Sequence, residues 1–290
     1  MRFAVVAQRS TPTNVSLATA PVPGIESVLL SPAQALVHLE RGDVALGRLD
    51  VLHSLDGMEP GVWALERLAA RGVKVLNPPA AVLAAHNKLA TALALERHGL
   101  PHPRTIGVFE DEPIVDLELP VVVKPPYGSW GADVFLSTTA EELDACLADL
   151  RERAWFAATG AVVQELVPPL GHDLRCVVAG GRVIGAIERW SAPGEWRTNI
   201  ALGGTRRPVV PPPRACELAV AAAAALGIDL VGVDLLPTGA GEYVVIELNG
   251  AVDFTHEYAD DVDVFAEAVS ALVGRAAAEE QDDAAVASLL

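Results

Sequence analysis

Apolar positions change their period several times along the chain, and the changes mark its organisation. Through residues 1–85, short apolar runs of strand length alternate with stretches of helical spacing. Residues 3–7, 28–30, 44–46 and 73–76 read as strands. Ser31 followed by Pro32 is an N-cap with proline at the first helical position, and opens a helix to about residue 40. A second helix is expected over 60–71, stopped by Gly72. Strands alternating with helices predict an α/β layer with a largely parallel sheet. A further helix over 79–98 ends at Gly99. Pro101 and Pro103 then hold the chain extended, which sets the first boundary.

The middle of the chain is patterned differently. Residues 120–124 form a buried-type strand, 125–131 a loop and 133–136 a returning strand. Thr139-Ala140-Glu141-Glu142 is a capping box that opens a helix to about residue 153, and 161–167 is strand-like again. From 173 the pattern turns antiparallel. Two β-rich runs, 173–179 and 182–190, meet at Gly180-Gly181, a hairpin signal. A polar Gly- and Pro-rich loop fills 191–213, and a helix over 217–226 ends at Gly227. A second hairpin pairs 230–236 with 243–248 ahead of a last helix over 263–275. Residues 276–290, with Glu279, Glu280, Asp282 and Asp283, are expected to fray as a flexible acidic tail. The expected division is 1–85, 86–164, 165–275 and 276–290.

Composition narrows the functional classes. With 51% hydrophobic residues the 290-residue chain has ample material for packed cores. A net charge of −17 repels nucleic acid and anionic membrane, so neither is an expected partner. Cys146, Cys176 and Cys216 are scattered singly, without zinc spacing, as in a reducing cytosol. The most apolar window, 218–236, holds Asp229, Asp234 and Gly227, so it reads as helix then strand rather than a membrane span. A cytoplasmic protein is expected.

The chemistry-bearing residues gather in the second half. In the second hairpin, strict alternation puts Val244, Ile246 and Leu248 on one face and Glu247 and Asn249 on the other, with Asp234 on the partner strand. Two carboxylates and an amide oxygen suit Mg²⁺, which fills the rest of its octahedron with phosphate and water. The same acidic face could equally be a solvated surface. Lys124 ends an apolar strand and leads into Pro125-Pro126-Tyr127-Gly128-Ser129-Trp130-Gly131, a loop able to turn backbone N–H groups toward phosphate or simply to join two strands. Asp173 and Arg175 share a strand face; Arg189, Arg197 and Arg206 follow nearby and could clamp phosphates or a substrate carboxylate.

In order, these signals resemble a known family. Asn87-Lys88, the Pro101–Thr105 stretch, Val121–Pro125 with the Gly128–Gly131 loop, Val163–Val167, Asp173-Leu174-Arg175, Trp196–Ala201 with Gly203-Gly204, Gly232-Val233-Asp234 and Ile246–Asn249 are together similar to the ATP-grasp superfamily, in its RimK-type branch. The likeness spans about residues 1–270. It implies an ATP-grasp fold, α/β overall and α+β in its C-terminal part, behind an N-terminal pre-ATP-grasp domain. ATP would lie between the central and C-terminal domains. It implies an ADP-forming carboxylate–amine ligase working through an acyl phosphate, which joins an amino acid such as glutamate to an amine.

The resemblance also implies roles. Lys88 and Lys124 would contact phosphates, and the Gly128, Ser129, Trp130, Gly131 loop would close over them. Glu165, Leu166 and Val167 would read adenine, with Asp173 near the ribose. Arg175, Arg197 and Asn199 would hold phosphate or the acyl phosphate, and Arg189, Gly203 and Gly204 the substrate. Asp234, Glu247 and Asn249 would hold one or two Mg²⁺, with Mn²⁺ as the alternative. Partners would be ATP, a carboxylate donor and an amine acceptor, either small molecules or a carrier or peptide, in a homodimer or homotetramer. Two departures stand out. Asp133 follows the glycine loop and places a negative charge beside the phosphates, the one feature favouring a non-catalytic ATP-binding protein. Leu202 stands where carrier-protein ligases tend to place arginine.

Overall fold

An unbroken apolar run suits a strand covered on both faces, and β1 (Arg2–Val6) is buried from Phe3 onward. The computed structural model describes residues 1–109, 117–128, 130–259 and 261–287. After β1 come α1 (Pro12–Thr19), β2 (Glu26–Leu30), α2 (Pro32–His38), β3 (Val44–Gly47), α3 (Val62–Ala70) and β4 (Lys74–Leu76). The strands form a parallel sheet in the order β2-β1-β3-β4, as the alternation of strand and helix requires. Helix α2 carries a capping box: Gln34 N donates to Ser31 Oγ and Ser31 N donates to Gln34 Oε1.

The helix expected over 79–98 is two helices, α4 (Pro79–His86) and α5 (Lys88–Arg97). Asn87 leaves helical geometry, and its Oδ1 accepts from Leu89 N and Ala90 N, so it caps α5. Ala81, Ala85 and Leu95 pack into the core of the C-terminal sheet described below. This helix pair, which straddles the boundary expected at residue 85, packs on the C-terminal sheet.

The central layer comprises β5 (Thr105–Val108), β6 (Val121–Lys124), β7 (Phe135–Ser137), α6 (Ala140–Leu150), α7 (Ala154–Thr159) and β8 (Ala161–Glu165). Its antiparallel sheet runs β5-β8-β6-β7, with Val121, Val123 and Val163 packed against Leu143, Leu147 and Trp155. The C-terminal sheet is built from β9 (His172–Ala179), β10 (Arg182–Trp190), β11 (Thr205–Pro208), β12 (Leu230–Gly239) and β13 (Glu242–Asn249), with α8 (Pro213–Leu226) across one face. Its antiparallel order is β11-β10-β9-β12-β13.

Helix α9 (Val264–Ala287) closes the fold. Its Val269 and Leu272 share one core with Phe3, Val5 and Leu46 of the N-terminal sheet and with Val177, Ile187 and Leu230 of the C-terminal sheet. The segment expected as a frayed tail continues this helix to Ala287. Alanine is the strongest helix former, and Lys74 and Arg275 both pair with Glu279, which ties the extension beside β4. Asn77 joins the two outer sheets further: its Nδ2 donates to Leu230 O (2.9 Å) and its Oδ1 accepts from Leu230 N (2.8 Å). Among the described residues no helix is long and apolar enough to cross a membrane.

Candidate functional site

A cleft opens between the central and C-terminal sheets, lined by residues of both. Its central wall is the end of β6. Val121 and Val123 pack into the core of the central layer, so alternation turns Val122 and Lys124 to the cleft face, where Lys124 is only 6% exposed. Lys124 Nζ donates to Gln164 Oε1 (2.8 Å), and Gln164 Nε2 donates to Thr105 Oγ1 (2.7 Å), a chain of hydrogen bonds across three strands. Burial lowers the Lys124 pKa to about 8; Glu247 opposes the shift and Lys88 adds to it. Lys88 enters at the first position of α5, just after the Asn87 cap. Its Nζ donates to Gly128 O (2.8 Å) and lies 3.6 Å from Glu247 Oε2.

The facing wall is a lattice of charge on the C-terminal sheet. Arg175 on β9 is bidentate to Asp234 on β12, with both contacts at 2.6 Å. Arg189 on β10 is bidentate to Asp173 and also donates to Asp234 Oδ2 (2.8 Å). Thr198 Oγ1 donates to Asp173. Burial pushes the Asp234 carboxyl up, but the two arginines outweigh it and hold the group below the usual carboxylate range. Asp234 is therefore ionised and saturated with donors.

Glu247 sits opposite Asp234 in the β12–β13 register. A bulge follows, because Leu235 pairs with Val245 and skips Ile246. Val245 and Leu248 consequently face the core, while Ile246 and Glu247 both line the cleft. This corrects the strict alternation expected from sequence, which put Ile246 on the face of Leu248 and opposite Glu247. Asn249 turns Nδ2 toward Asp234 Oδ2 (3.5 Å), leaving its amide oxygen as the donor for a metal. Glu247 and Asn249 thus fit a magnesium that draws most of its shell from phosphate and water, with Asp234 committed to arginine in this conformation. Among the described residues no cluster of three histidine, cysteine or carboxylate side chains is gathered at metal-holding distance.

The glycine loop and the loop after β10 close the cleft from opposite sides. Arg197 is clamped by Glu195 through paired 2.9 Å contacts and reaches Val134 O (3.3 Å) and Gly131 O (3.5 Å). Gly131 has φ +75°, and a Cβ there would sit 3.0 Å from Asn199 Oδ1, so glycine is required by conformation and by approach. Trp130 stacks on His53 of the N-terminal domain at 5.5 Å.

Most of the sequence-selected residues converge on this cleft: Lys88, Lys124, Gly128, Trp130, Gly131, Glu165, Leu166, Val167, Asp173, Arg189, Arg197, Asn199, Asp234 and Glu247 line it. Arg175 does not; it lies behind Asp234 and grips it. Gly203, Gly204 and Asn249 do not either, Asn249 approaching the site only through its contact with Asp234. A Cβ on Gly204 would meet three backbone oxygens within 3.0 Å, so this glycine shapes the loop that carries Arg197. Ser129 lies outside the described residues. Leu166 N is already donated to Pro120 O, so adenine recognition at 165–167 would use the other backbone groups there. Asp133 points away from the cleft and accepts from Trp155 Nε1 (2.8 Å), contrary to the expectation that its charge sits beside the phosphates. Gln164, Thr198 and Ile246 were not selected from sequence. Gln164 had a readable signal, a polar residue that breaks the apolar run Ala161–Val163 of β8.

Comparison with known proteins accords with this geometry. A family model described as the RimK-like ATP-grasp domain matches residues 85–272. The glutamate--LysW ligase ArgX of Sulfurisphaera tokodaii is 31% identical over 215 residues, covering 72% of this chain and 76% of that protein. A probable alpha-L-glutamate ligase of Serratia proteamaculans is 32% identical over 233 residues, covering 77% of this chain and 75% of that protein. Human beta-citrylglutamate synthase B is 32% identical over 200 residues, 67% of this chain and 51% of that protein, so the chain spans about half its length. Among solved structures, D-alanine--D-alanine ligase of Bacillus anthracis complexed with ATP has a TM-score of 0.69 at 16% identity, covering 98% and 99% of the two chains. The RimK domain protein ATP-grasp of Sphaerobacter thermophilus has a TM-score of 0.66 at 22% identity, covering 94% and 100%. At these identities the structural likeness bears on the fold alone.

Proposed function

The chain belongs to the RimK-like ATP-grasp family, and we propose that its cleft binds magnesium-ATP and joins glutamate, or a similar amino acid, to a second small molecule or to a carrier or peptide. It is an ATP-dependent, ADP-forming carboxylate–amine ligase. The observation that carries the site assignment is the facing of two lysines, Lys88 and Lys124, against Glu247 and Asp234 across one cleft.

A carboxylate is a poor electrophile until its oxygen carries a phosphoryl group. Lys124 and Lys88 are placed to offset the negative charge of the transferring phosphoryl oxygens in a partly dry site, where fixed cations act strongly. Glu247 and the Asn249 amide oxygen would hold Mg²⁺, which when bound supplies further charge neutralisation on the phosphates. Arg175 acts through Asp234, fixing that carboxylate rather than touching nucleotide. Arg197, Gly128, Trp130 and Gly131 line the site, and excluding water there protects an acyl phosphate from hydrolysis. Asp133, the only feature that favoured a non-catalytic protein, is engaged with Trp155 instead.

Three free cysteines accord with a cytoplasmic setting, and a dimer or tetramer belongs to this reading on family likeness. The direct test is ADP release from Mg-ATP with acid and amine pairs, comparing wild type with Glu247→Gln. The wild type should turn over and the variant should not. Equal turnover by both would remove Glu247 from the site.

A further inference from the structure

The segment before β5 reaches the cleft through a chain of side chains. Thr105, the first residue of β5, stands directly opposite Gln164 of β8, and Gln164 stands opposite Val122 of β6. Lys124 lies two residues further along β6, so alternation puts Thr105, Gln164 and Lys124 on one face of the central sheet. Thr105 Oγ1 donates to Pro103 O (2.8 Å). A hydroxyl has a single proton, so toward Gln164 that oxygen can only accept, and Gln164 Nε2 donates to it (2.7 Å). The network thereby orients the Gln164 amide: Oε1 points the other way and accepts from Lys124 Nζ (2.8 Å). A flipped amide would set its NH₂ against the lysine ammonium and its oxygen against the Thr105 lone pairs. All three bonds run one way, from the cleft to a carbonyl that only accepts. Gln164 is 4% exposed and lines the cleft, with Thr105 behind it.

The charged groups around Lys124 are engaged elsewhere. Glu247 of β13 is paired with Lys88 of α5 (3.6 Å), Asp234 of β12 with Arg175 and Arg189, and Asp173 with Arg189. Arg197 is held by Glu195. Glu247 and Asp234 favour the charged lysine from a distance, while burial and Lys88 oppose it. We propose that Gln164 and Thr105 are positioning residues for Lys124, a chain anchored on the Pro103 carbonyl that holds the ammonium on the cleft face for transfer to a phosphate oxygen of the nucleotide. The inference rests on the ligase reading above for the phosphate, and gives the Pro101–Thr105 segment a part in it. The acceptor is neutral, and that matters. A carboxylate in its place would hold the ammonium in a buried ion pair and compete with phosphate. An amide free to turn over would leave the ammonium without a partner, and a buried unpartnered cation gives up its proton. A neutral amide locked by Thr105 orients the charge without cancelling it.

The test is ¹³C NMR of the full chain carrying Cε-labelled lysine, titrated without nucleotide. The chain has three lysines, Lys74, Lys88 and Lys124, so each signal is assigned by single substitution. The Lys124 signal should titrate at about pH 8 in the wild type. Thr105→Val keeps the shape and removes the hydroxyl; it should lower that midpoint by about 0.5 pH or more and leave Lys88 unmoved. Thr105→Ser keeps the hydroxyl and should titrate as the wild type does. A role in packing alone would reverse the two, because serine loses the methyl group. Gln164→Glu should raise the midpoint by about 1 pH or more, an independent reading should Thr105→Val fold poorly. In ADP release, Thr105→Val should raise the KM for Mg-ATP about fivefold, the size of one hydrogen bond, and Thr105→Ser should not. A Lys124 midpoint unmoved by Thr105→Val, moved as far by Thr105→Ser, or lowered by Gln164→Glu would overturn the proposal. Because the titration uses no nucleotide, that failure leaves the ligase reading standing. Absence of ADP formation with every acid and amine pair would instead strike the ligase reading and the transfer to phosphate with it.

Discussion

Arg189 reaches across β9 to Asp234, its Nη2 2.8 Å from Oδ2, and so ties three adjacent strands of the C-terminal sheet into one charged unit. Both residues are buried, and Asp173 and Arg175 complete the unit. Buried ion pairs add little net stability, but removing one partner strands the others in a medium that cannot solvate them. Arg189→Ala should therefore cost about 3–5 kcal/mol, read by urea unfolding. A loss under 1 kcal/mol would show that water relieves the stranded carboxylates.

The same unit sets acid sensitivity. Asp234 has a folded pKa below its unfolded value, so the stability it contributes is complete above about pH 4 and is lost as pH falls toward the folded value. Unfolding free energy measured between pH 2 and 7 should drop steeply below about pH 4. Asp234→Asn should flatten that drop; an unchanged slope would assign it to other carboxylates.

Lys124 gives the opposite pH window. Its pKa of about 8 in the free protein means that a growing fraction is neutral above that pH, whereas polyphosphate binding favours the charged form. ATP affinity should weaken as pH rises through 8, and binding near pH 8 should take up a proton, visible as a buffer-dependent enthalpy. Lys124→Arg should abolish both effects, because arginine stays charged. Buffer-independent binding would place Lys124 away from the phosphates.

Gly131 and Asp133 separate loop geometry from loop charge. Gly131→Ala forces a side chain at φ +75° against Asn199, and strain of about 1–3 kcal/mol should cut turnover by tenfold or more with the fold intact by circular dichroism. Asp133→Asn keeps the acceptor for Trp155 and should leave ATP affinity within about twofold, under 0.5 kcal/mol. A large gain in affinity from Asp133→Asn would return its charge to the phosphates.

The Lys124 strand, the Gly180-Gly181 hairpin and the Asp234–Glu247 pairing were legible in the sequence, because each is written in local periodicity and turn chemistry. Other features were hidden for physical reasons. Pro12–Thr19 is helical with no apolar periodicity to announce it, and Thr205–Pro208 is a fully exposed edge strand held by β10 rather than by its own propensity. The Asn87 break, which aims Lys88, looked like the middle of one helix until its cap was seen. The bulge at Ile246 and the pairing of Asn77 with residues 229 and 230 depend on partners far along the chain. Strand faces read from strict alternation fail wherever such a bulge intervenes.

The most direct measurement of the central claim is trapping with hydroxylamine in the presence of Mg-ATP and a panel of free acids and C-terminal peptides. One acid should yield a hydroxamate together with stoichiometric ADP, and both should vanish with EDTA and in Glu247→Gln. ADP release without hydroxamate from any acid, or hydroxamate formation undiminished in Glu247→Gln, would contradict activation of a carboxylate at this site.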